Sequence, residues 1–198
     1  MMKYFTADPH IYHEKAVNFP DRKGFTVNSW AEMFFSLVNS KVTKSDRLFI
    51  LGDFALGAFK YFNKARLKLK PKDIWLIEGN HDPSITACKR TFGDKFRQVY
   101  DCKIRDKQCW LSHYPHLVWP ASHYGSFHLH GHLHDQRTDF WDEIPYLKDR
   151  RSLDVCPESY KRIFGEWGIF SEDQIYDILI ARPGNDDVSW YREQRGEL

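Results

Sequence analysis

Apolar runs that each end on a short block of aspartate, asparagine, histidine or glycine constrain this chain more than any other feature of its sequence. The clearest is Asp73-Ile74-Trp75-Leu76-Ile77-Glu78, which reads as a buried strand and is followed at once by Gly79-Asn80-His81-Asp82. A glycine at a strand end frees the backbone to turn sharply. Three polar side chains then stand at the mouth of an α/β sheet, where such folds place their ligands. An amide, an imidazole and a carboxylate offer oxygen and nitrogen donors suited to a hard or borderline divalent metal. The arrangement recurs upstream at Asp8-Pro9-His10 and Gly52-Asp53. It recurs downstream at Ser112-His113-Tyr114-Pro115 and Gly131-His132-Leu133-His134.

Between these blocks the pattern alternates. A first strand over about residues 2 to 7 delivers Asp8 and His10, with Pro9 stiffening the turn between them. Ser29-Trp30-Ala31-Glu32 has the form of a capping box, and Trp30, Met33, Phe34, Leu37 and Val38 repeat at helical spacing. Arg47 to Leu51 reads as a buried strand ending at Gly52-Asp53. A helix from Phe59 to Leu69 follows, with Phe62, Ala65 and Leu69 inward, and Pro71 closes it before the strand of Ile74 to Ile77. This β-α-β-α-β order predicts a parallel sheet. The second half differs. Val99 to Ile104 and Gln108 to Leu111 flank Arg105-Asp106-Lys107 as a hairpin, and Ser126 to His130 and Ser152 to Val155 read as short strands. Ser171-Glu172-Asp173-Gln174 opens a helix with Ile175, Ile178 and Leu179 inward, which Pro183-Gly184 stops. Apart from Ser152 to Val155, the segment from Thr138 to Glu166 is charged and aromatic and gives no clear element.

A chain of 198 residues fits a single domain, 1–198, with a sizeable core. Its formal net charge of +2 is no electrostatic signature of nucleic-acid binding. The four cysteines, Cys88, Cys102, Cys109 and Cys156, show no C-x-x-C pair and read as reduced thiols. The N-terminus lacks the apolar core of a signal peptide, and no run approaches a membrane span of about 18 residues. A cytoplasmic protein with no membrane attachment is expected.

Taken together and in order, the blocks resemble the calcineurin-like metallophosphoesterase superfamily, above all its small bacterial and phage members. The family pattern is Asp-x-His, Gly-Asp, Gly-Asn-His-Asp/Glu, a single His, then Gly-His-x-His. Asp8-Pro9-His10, Gly52-Asp53, Gly79-Asn80-His81-Asp82, His113 and Gly131-His132-Leu133-His134 match it. The resemblance implies an α/β fold, a two-sheet β-sandwich flanked by helices in four αββα layers. Two positions depart from the pattern. Pro9 replaces a small polar residue, and Asp154-Val155 stands where related members carry Asn-Val. Asp154 reads either as a neighbour of the metals or as a turn closure.

The resemblance implies two divalent metals. Asp8, His10, Asp53 and His134 would hold the first, and Asp53, Asn80, His113 and His132 the second. Asp53 is then the bridge, since it ends a central strand between the other blocks. Residues two apart on an extended strand end point the same way, so His132 and His134 are expected to face the site while Leu133 enters the core. The same reasoning serves Asp8 and His10. His81 would lie beside the phosphate without touching metal, as proton donor to the leaving oxygen or stabiliser of charge. Asp82 is expected to orient His81 or a ligand. His13, Tyr12, Arg22, His116 and His123 are candidates for holding substrate. Arg22 reads equally as a solvated loop charge, and His116 and His123 as surface residues. His128 and His130 share the strand parity of His132.

The expected activity is a phosphodiesterase in which a hydroxide bridging two metals roughly 3.5–4 Å apart attacks a phosphodiester. No inserted cap domain is evident, and an open site suits the substituents of a diester. The alternatives are a phosphomonoesterase acting on nucleotides or phosphoproteins, a nuclease, and a non-catalytic scaffold of the same fold. Nitrogen and oxygen ligands without thiolate suit Mn, Fe, Zn, Co or Ni, and manganese is the expected working metal. The expected partner is a phosphoester, nucleotide or nucleic-acid derived, with no obligate protein partner.

Overall fold

A computed structural model of the chain describes residues 1–135 and 150–182. The first sheet is built on β1 (Lys3–Thr6), β2 (Arg47–Leu51) and β3 (Asp73–Ile77), which run parallel with Phe5 opposite Phe49 and Phe49 opposite Trp75. Short strands β4 (Phe96–Arg97) and β9 (Phe170–Ser171) complete it, β4 parallel to β3 and β9 antiparallel to β1. The spatial order is β4-β3-β2-β1-β9. The second sheet has four strands among the described residues. β5 (Tyr100–Ile104) and β6 (Lys107–Leu111) form the expected hairpin, and β7 (Phe127–His130) and β8 (Ser152–Asp154) add in parallel.

Period two decides which face each strand residue serves. Phe5, Phe49, Leu51 and Ile77 of the first sheet pack against Ile104, Cys109, Leu111, Phe127, Leu129 and Leu153 of the second. Phe5 and Phe49 stack at 5.2 Å between ring centroids. Leu48, Ile50, Ile74 and Leu76 point the other way and form a separate core with the helices. These are α1 (Val27–Lys41), α2 (Phe59–Lys68) and α3 (Ile85–Phe92); α4 (Pro157–Phe164) and α5 (Glu172–Ile180) come from the second half. Two mixed sheets flanked by these helices agree with the expected four-layer sandwich.

Several local expectations need correction. α1 is capped three residues earlier than the expected Ser29. Thr26 is the cap, its side chain accepting from Ser29 N while Ser29 Oγ accepts from Thr26 N. Ser29 thus closes the box from inside the helix, and Glu32 instead pairs with Lys68 on α2. The Ser171 cap does stand as read, with Gln174 closing the box and Ile175 and Leu179 buried. α3 and α4 were not foreseen. The expected stop at Pro183-Gly184 and much of the charged stretch from Thr138 lie outside the described residues. No helix among the described residues is long and apolar enough to cross a membrane.

Candidate metal centre and active site

The strand ends of β1, β2, β3, β6 and β7 carry the site, as the motif blocks require. Left-handed backbone is what lets them converge. Asp8 (φ 52°), His10 (φ 48°), Asp53 (φ 52°), His132 (φ 72°) and His134 (φ 50°) all occupy it. Non-glycine residues rarely do, and such strain collects at functional sites. His132 and His134 are therefore not on an extended strand end. Each residue turns the chain, His132 is exposed, and Leu133 is only partly covered instead of entering the core. Asp8 and His10 likewise reach the site through a kinked loop. That loop is tied to the next block, with Asp8 N donating to Gly52 O at 3.1 Å and His10 N to Asp53 O at 3.0 Å.

The motif glycines have a steric reason. A Cβ on Gly79 would lie 2.3 Å from both Asp53 N and Asp53 Oδ1, and one on Gly131 would lie 2.1 Å from Asp8 Oδ2. Gly79 is not in the left-handed region, so close approach of Asp53, and not the sharp turn expected from the sequence, is what demands glycine there. Gly52 meets both demands, with φ at +88° and a hypothetical Cβ 2.3 Å from His113 Nδ1.

Two clusters of potential ligands share Asp8: Asp8 with His10 and His134, and Asp8 with Asp53 and His113. Asp8 Oδ1 is 3.7 Å from His10 Nε2 and 3.8 Å from His134 Nε2. Asp53 Oδ2, of the second cluster, is 3.6 Å from His10 Nε2 of the first and 3.6 Å from His113 Nε2 of its own. Asn80 Oδ1 sits 2.9 Å from His113 Nε2. These positions bring together Asp8, His10, Asp53, Asn80, His113 and His134. His132 stands next to them, its ring centroid 5.1 Å from that of His113, but belongs to neither cluster.

The donor set fits divalent cations. Asp8 Oδ1 is buried with no hydrogen-bond partner. Burial, and then the negative charges of Asp154 and Asp53, push the Asp8 carboxyl well above the usual range, a conflict that a cation resolves. His113 Nδ1 lies 2.9 Å from Leu51 O, so both of its ring nitrogens face oxygen acceptors. Burial lowers its pKa, and a neutral imidazole has only one N–H to give. With Nδ1–H bonded to the carbonyl, Nε2 is left as a lone pair among oxygens, which is the tautomer a metal ligand needs. Burial lowers His10 as well, and holds His134 down to about 3.

His81 is exposed and lies outside both clusters. Its backbone N donates to Asp53 Oδ1 at 2.7 Å, and its ring lies 5.5 Å from that of His10 and 5.7 Å from that of His13. His13 shares this mouth, with Nδ1 buried and unpartnered. Asp82 does not touch His81 by hydrogen bond. Its carboxylate accepts from Gly79 N (2.9 Å), Asp53 N (3.0 Å) and Phe54 N (2.8 Å), and so fixes the turn that carries Asp53. Burial pushes Asp82 up to about 7, even against these bonds.

Arg22 is neither solvated nor open to substrate. It is fully buried, paired with Glu158, donating to Asp8 O at 2.8 Å and lying 4.1 Å over the Trp30 ring. Trp30 Nε1 donates to Pro9 O at 2.6 Å. Together they brace the Asp8-Pro9-His10 loop from behind. Asp154 closes turns, accepting from Asp135 N (3.2 Å) and Cys156 N (2.9 Å), while Asp135 pairs with Arg162. Glu158, Asp135 and the Phe19 ring 4.5 Å from His134 were missed in the sequence, and Trp30 was read there only as part of the helical stripe. The proline at the first position of α4, just before Glu158, and the acid directly after His134 are the signals that could have found the first two.

The remaining histidines stand apart. His128 Nδ1 donates to Trp110 O at 3.1 Å and its Nε2 accepts from His116 N at 3.0 Å. His130 Nδ1 donates to Gly131 O at 3.0 Å. Both point away from the inter-sheet core that holds Phe127 and Leu129, and neither joins a cluster, because strand parity ends at Gly131. His116 lines a cleft beside the site, His123 is exposed, and Tyr12 packs against the helical core.

A search of curated protein sequences finds no match. Among solved structures, a protein of unknown function from Aquifex aeolicus shares 22% identity over 89% of this chain and 98% of its own, with a TM-score of 0.66, which supports the fold. The phosphoesterase Yfce from E. coli shares 18% identity over 70% of this chain and 75% of its own, with a TM-score of 0.43. The profile described as Calcineurin-like phosphoesterase matches residues 4–195. With that match over nearly its whole length, the chain belongs to the calcineurin-like phosphoesterase family.

Proposed function

We propose that this protein is a dinuclear metal-dependent phosphodiesterase. Family membership supports a metal-dependent phosphoesterase. The observation that supports the dinuclear part of this reading is Asp53 Oδ2, placed 3.6 Å from an imidazole nitrogen of each cluster, where one carboxylate could serve both. Asp8, His10, Asp53 and His134 would hold one ion, and Asp53, Asn80, His113 and His132 the other. His132 would reach it by turning its exposed ring. Two such ions, with manganese the expected pair, would neutralise phosphoryl oxygens and make hydroxide available near neutral pH.

The chain's own residues do the rest. Asp82 and Arg22 hold the Asp53 and Asp8 turns, so the ligands are set before substrate arrives. His81 stands at the open mouth with its backbone pinned to Asp53 Oδ1, where its imidazole can protonate a departing alkoxide. The exposure of His81 and Tyr114 at this mouth suits a phosphate that carries substituents on both sides. The test is turnover of bis-p-nitrophenyl phosphate against p-nitrophenyl phosphate in added manganese. A higher kcat/KM on the diester supports the reading. Preference for the monoester makes the protein a phosphomonoesterase, and turnover of neither removes the catalytic reading.

A further inference from the structure

An open cleft of about 530 Å³ adjoins the site on the side of Asn80 and His113, both of which line it. A group seated there is therefore next to the atoms that would hold the second ion. The walls are of two kinds. Ile85, Val99 and Tyr114 give apolar surface, at 43%, 40% and 48% exposure. Glu78, Gln98 and His116 give hydrogen-bonding groups. Among the described residues that line the cleft, none is lysine or arginine. The phosphate is thus served by the metal side of the site, while a second anionic group carried into the cleft would meet Glu78 with no cation on the opposite wall.

We propose that this cleft seats a neutral, flat, hydrogen-bonding substituent of the substrate, the chemistry of a nucleoside, and discriminates against a substituent that carries further phosphate. The inference rests on the phosphodiesterase reading above. A nucleobase offers apolar faces to Val99, Ile85 and the Tyr114 ring, and aromatic contact of that kind tolerates any base. Its edges and the sugar hydroxyls offer donors that the Glu78 carboxylate and the Gln98 amide accept. The volume lies in the range of pockets that enclose small-molecule ligands. A continuing nucleic-acid strand would bring its next phosphate against Glu78, so a mononucleoside arm suits the walls better than a polymer.

The test uses the full chain loaded with manganese and p-nitrophenyl diesters that share one leaving group. The second arm is methyl, 5′-thymidine, or 5′-thymidine bearing a 3′-phosphate. The thymidine ester should exceed the methyl ester at least about tenfold in kcat/KM, and the 3′-phosphate should remove most of that gain. Glu78→Gln should narrow the gap between the two thymidine esters. Tyr114→Ala should cut the thymidine advantage mainly through KM. Equal turnover of the three esters, a preference for the 3′-phosphorylated ester, or a gap that Glu78→Gln leaves unchanged would overturn the inference while the diesterase reading stands. Turnover of none of them would remove that reading itself.

Discussion

His10 and His134 face each other Nε2 to Nε2 at 3.1 Å, although they lie 124 residues apart in the sequence. Two nitrogens each about 2.1 Å from one ion lie about 3.0–3.4 Å apart, so this spacing, which an N–H···N hydrogen bond also gives, fits two ligands of one metal. Both residues reach it through left-handed backbone, and burial keeps both rings neutral and able to donate a lone pair.

His81→Ala separates binding from chemistry. His81 lies outside both ligand clusters, so metal content and melting temperature should stay near those of the parent. The loss should fall on kcat, by about 10²–10⁴-fold. It should be smaller for p-nitrophenolate, which needs little protonation, than for an alkyl leaving group. A variant that loses an ion would place His81 among the ligands.

Asp82→Asn tests the support of the bridge. One of the two carboxylate oxygens becomes an NH2 facing a backbone N–H of Gly79, Asp53 or Phe54. An unsatisfied buried donor costs about 1–3 kcal/mol, and loss of an outer partner weakens metal affinity by about 10–100-fold. Manganese titration and urea unfolding check the two effects, and a variant with parental affinity would show that the Asp53 turn holds itself.

Seven of the nine strands among the described residues were legible because each is an apolar run ended by glycine or a polar block; the two-residue strands β4 and β9 were not. The motif residues were legible because their order along the chain survives folding. What was not legible is the backbone between them. The spacing of His132 and His134 suggests an extended strand end, but the φ values of 72° and 50° make two successive turnings that nothing in Gly-His-Leu-His announces. Partners distant in the chain were hidden too. Arg22 looks like a loop charge until Glu158 on α4, 136 residues later, buries it. α3 escaped notice because Ser84 makes no side-chain cap, and only Cys88 and Phe92 of the helix are buried. α4 escaped because its cap is the thiol of Cys156, accepting from Ser159 N, which is not a residue type that signals a helix start.

The Arg22–Glu158 pair should be costly to break. Arg22→Ala leaves the Glu158 carboxylate buried and frees the carbonyl of Asp8. Removing one partner of such a pair costs about 3–5 kcal/mol. Arg22→Lys should recover only part of this, since an ammonium cannot serve Glu158, Asp8 O and the Trp30 face with one planar group. Urea unfolding of the three proteins measures it, and a loss under about 1 kcal/mol for Arg22→Ala would contradict the bracing role.

His128 should make the metal-free protein acid-sensitive. Burial holds its pKa well below the ordinary histidine value, and both ring nitrogens are committed to Trp110 O and His116 N. The unfolded chain takes up a proton near pH 6.5 that the folded chain refuses, so this stabilisation is complete above that pH and lost as pH falls below it. The slope from one such group is about 1.4 kcal/mol per pH unit. Between about pH 7 and pH 5, chelator-treated protein should therefore lose stability more steeply than His128→Gln under the same treatment, since the other titrating groups are common to both. Equal slopes in urea unfolding would contradict it.

Metal stoichiometry tests the dinuclear centre most directly. Chelator-stripped protein titrated with manganese, freed of unbound ion and assayed by elemental analysis, should approach two ions per chain as diesterase activity rises. Asp53→Asn should retain fewer ions than Asn80→Ala under the same conditions, because Asp53, unlike Asn80, lies close to imidazoles of both ligand sets. Folded protein that stays free of metal, full activity with a single ion, or better retention by Asp53→Asn than by Asn80→Ala would contradict it.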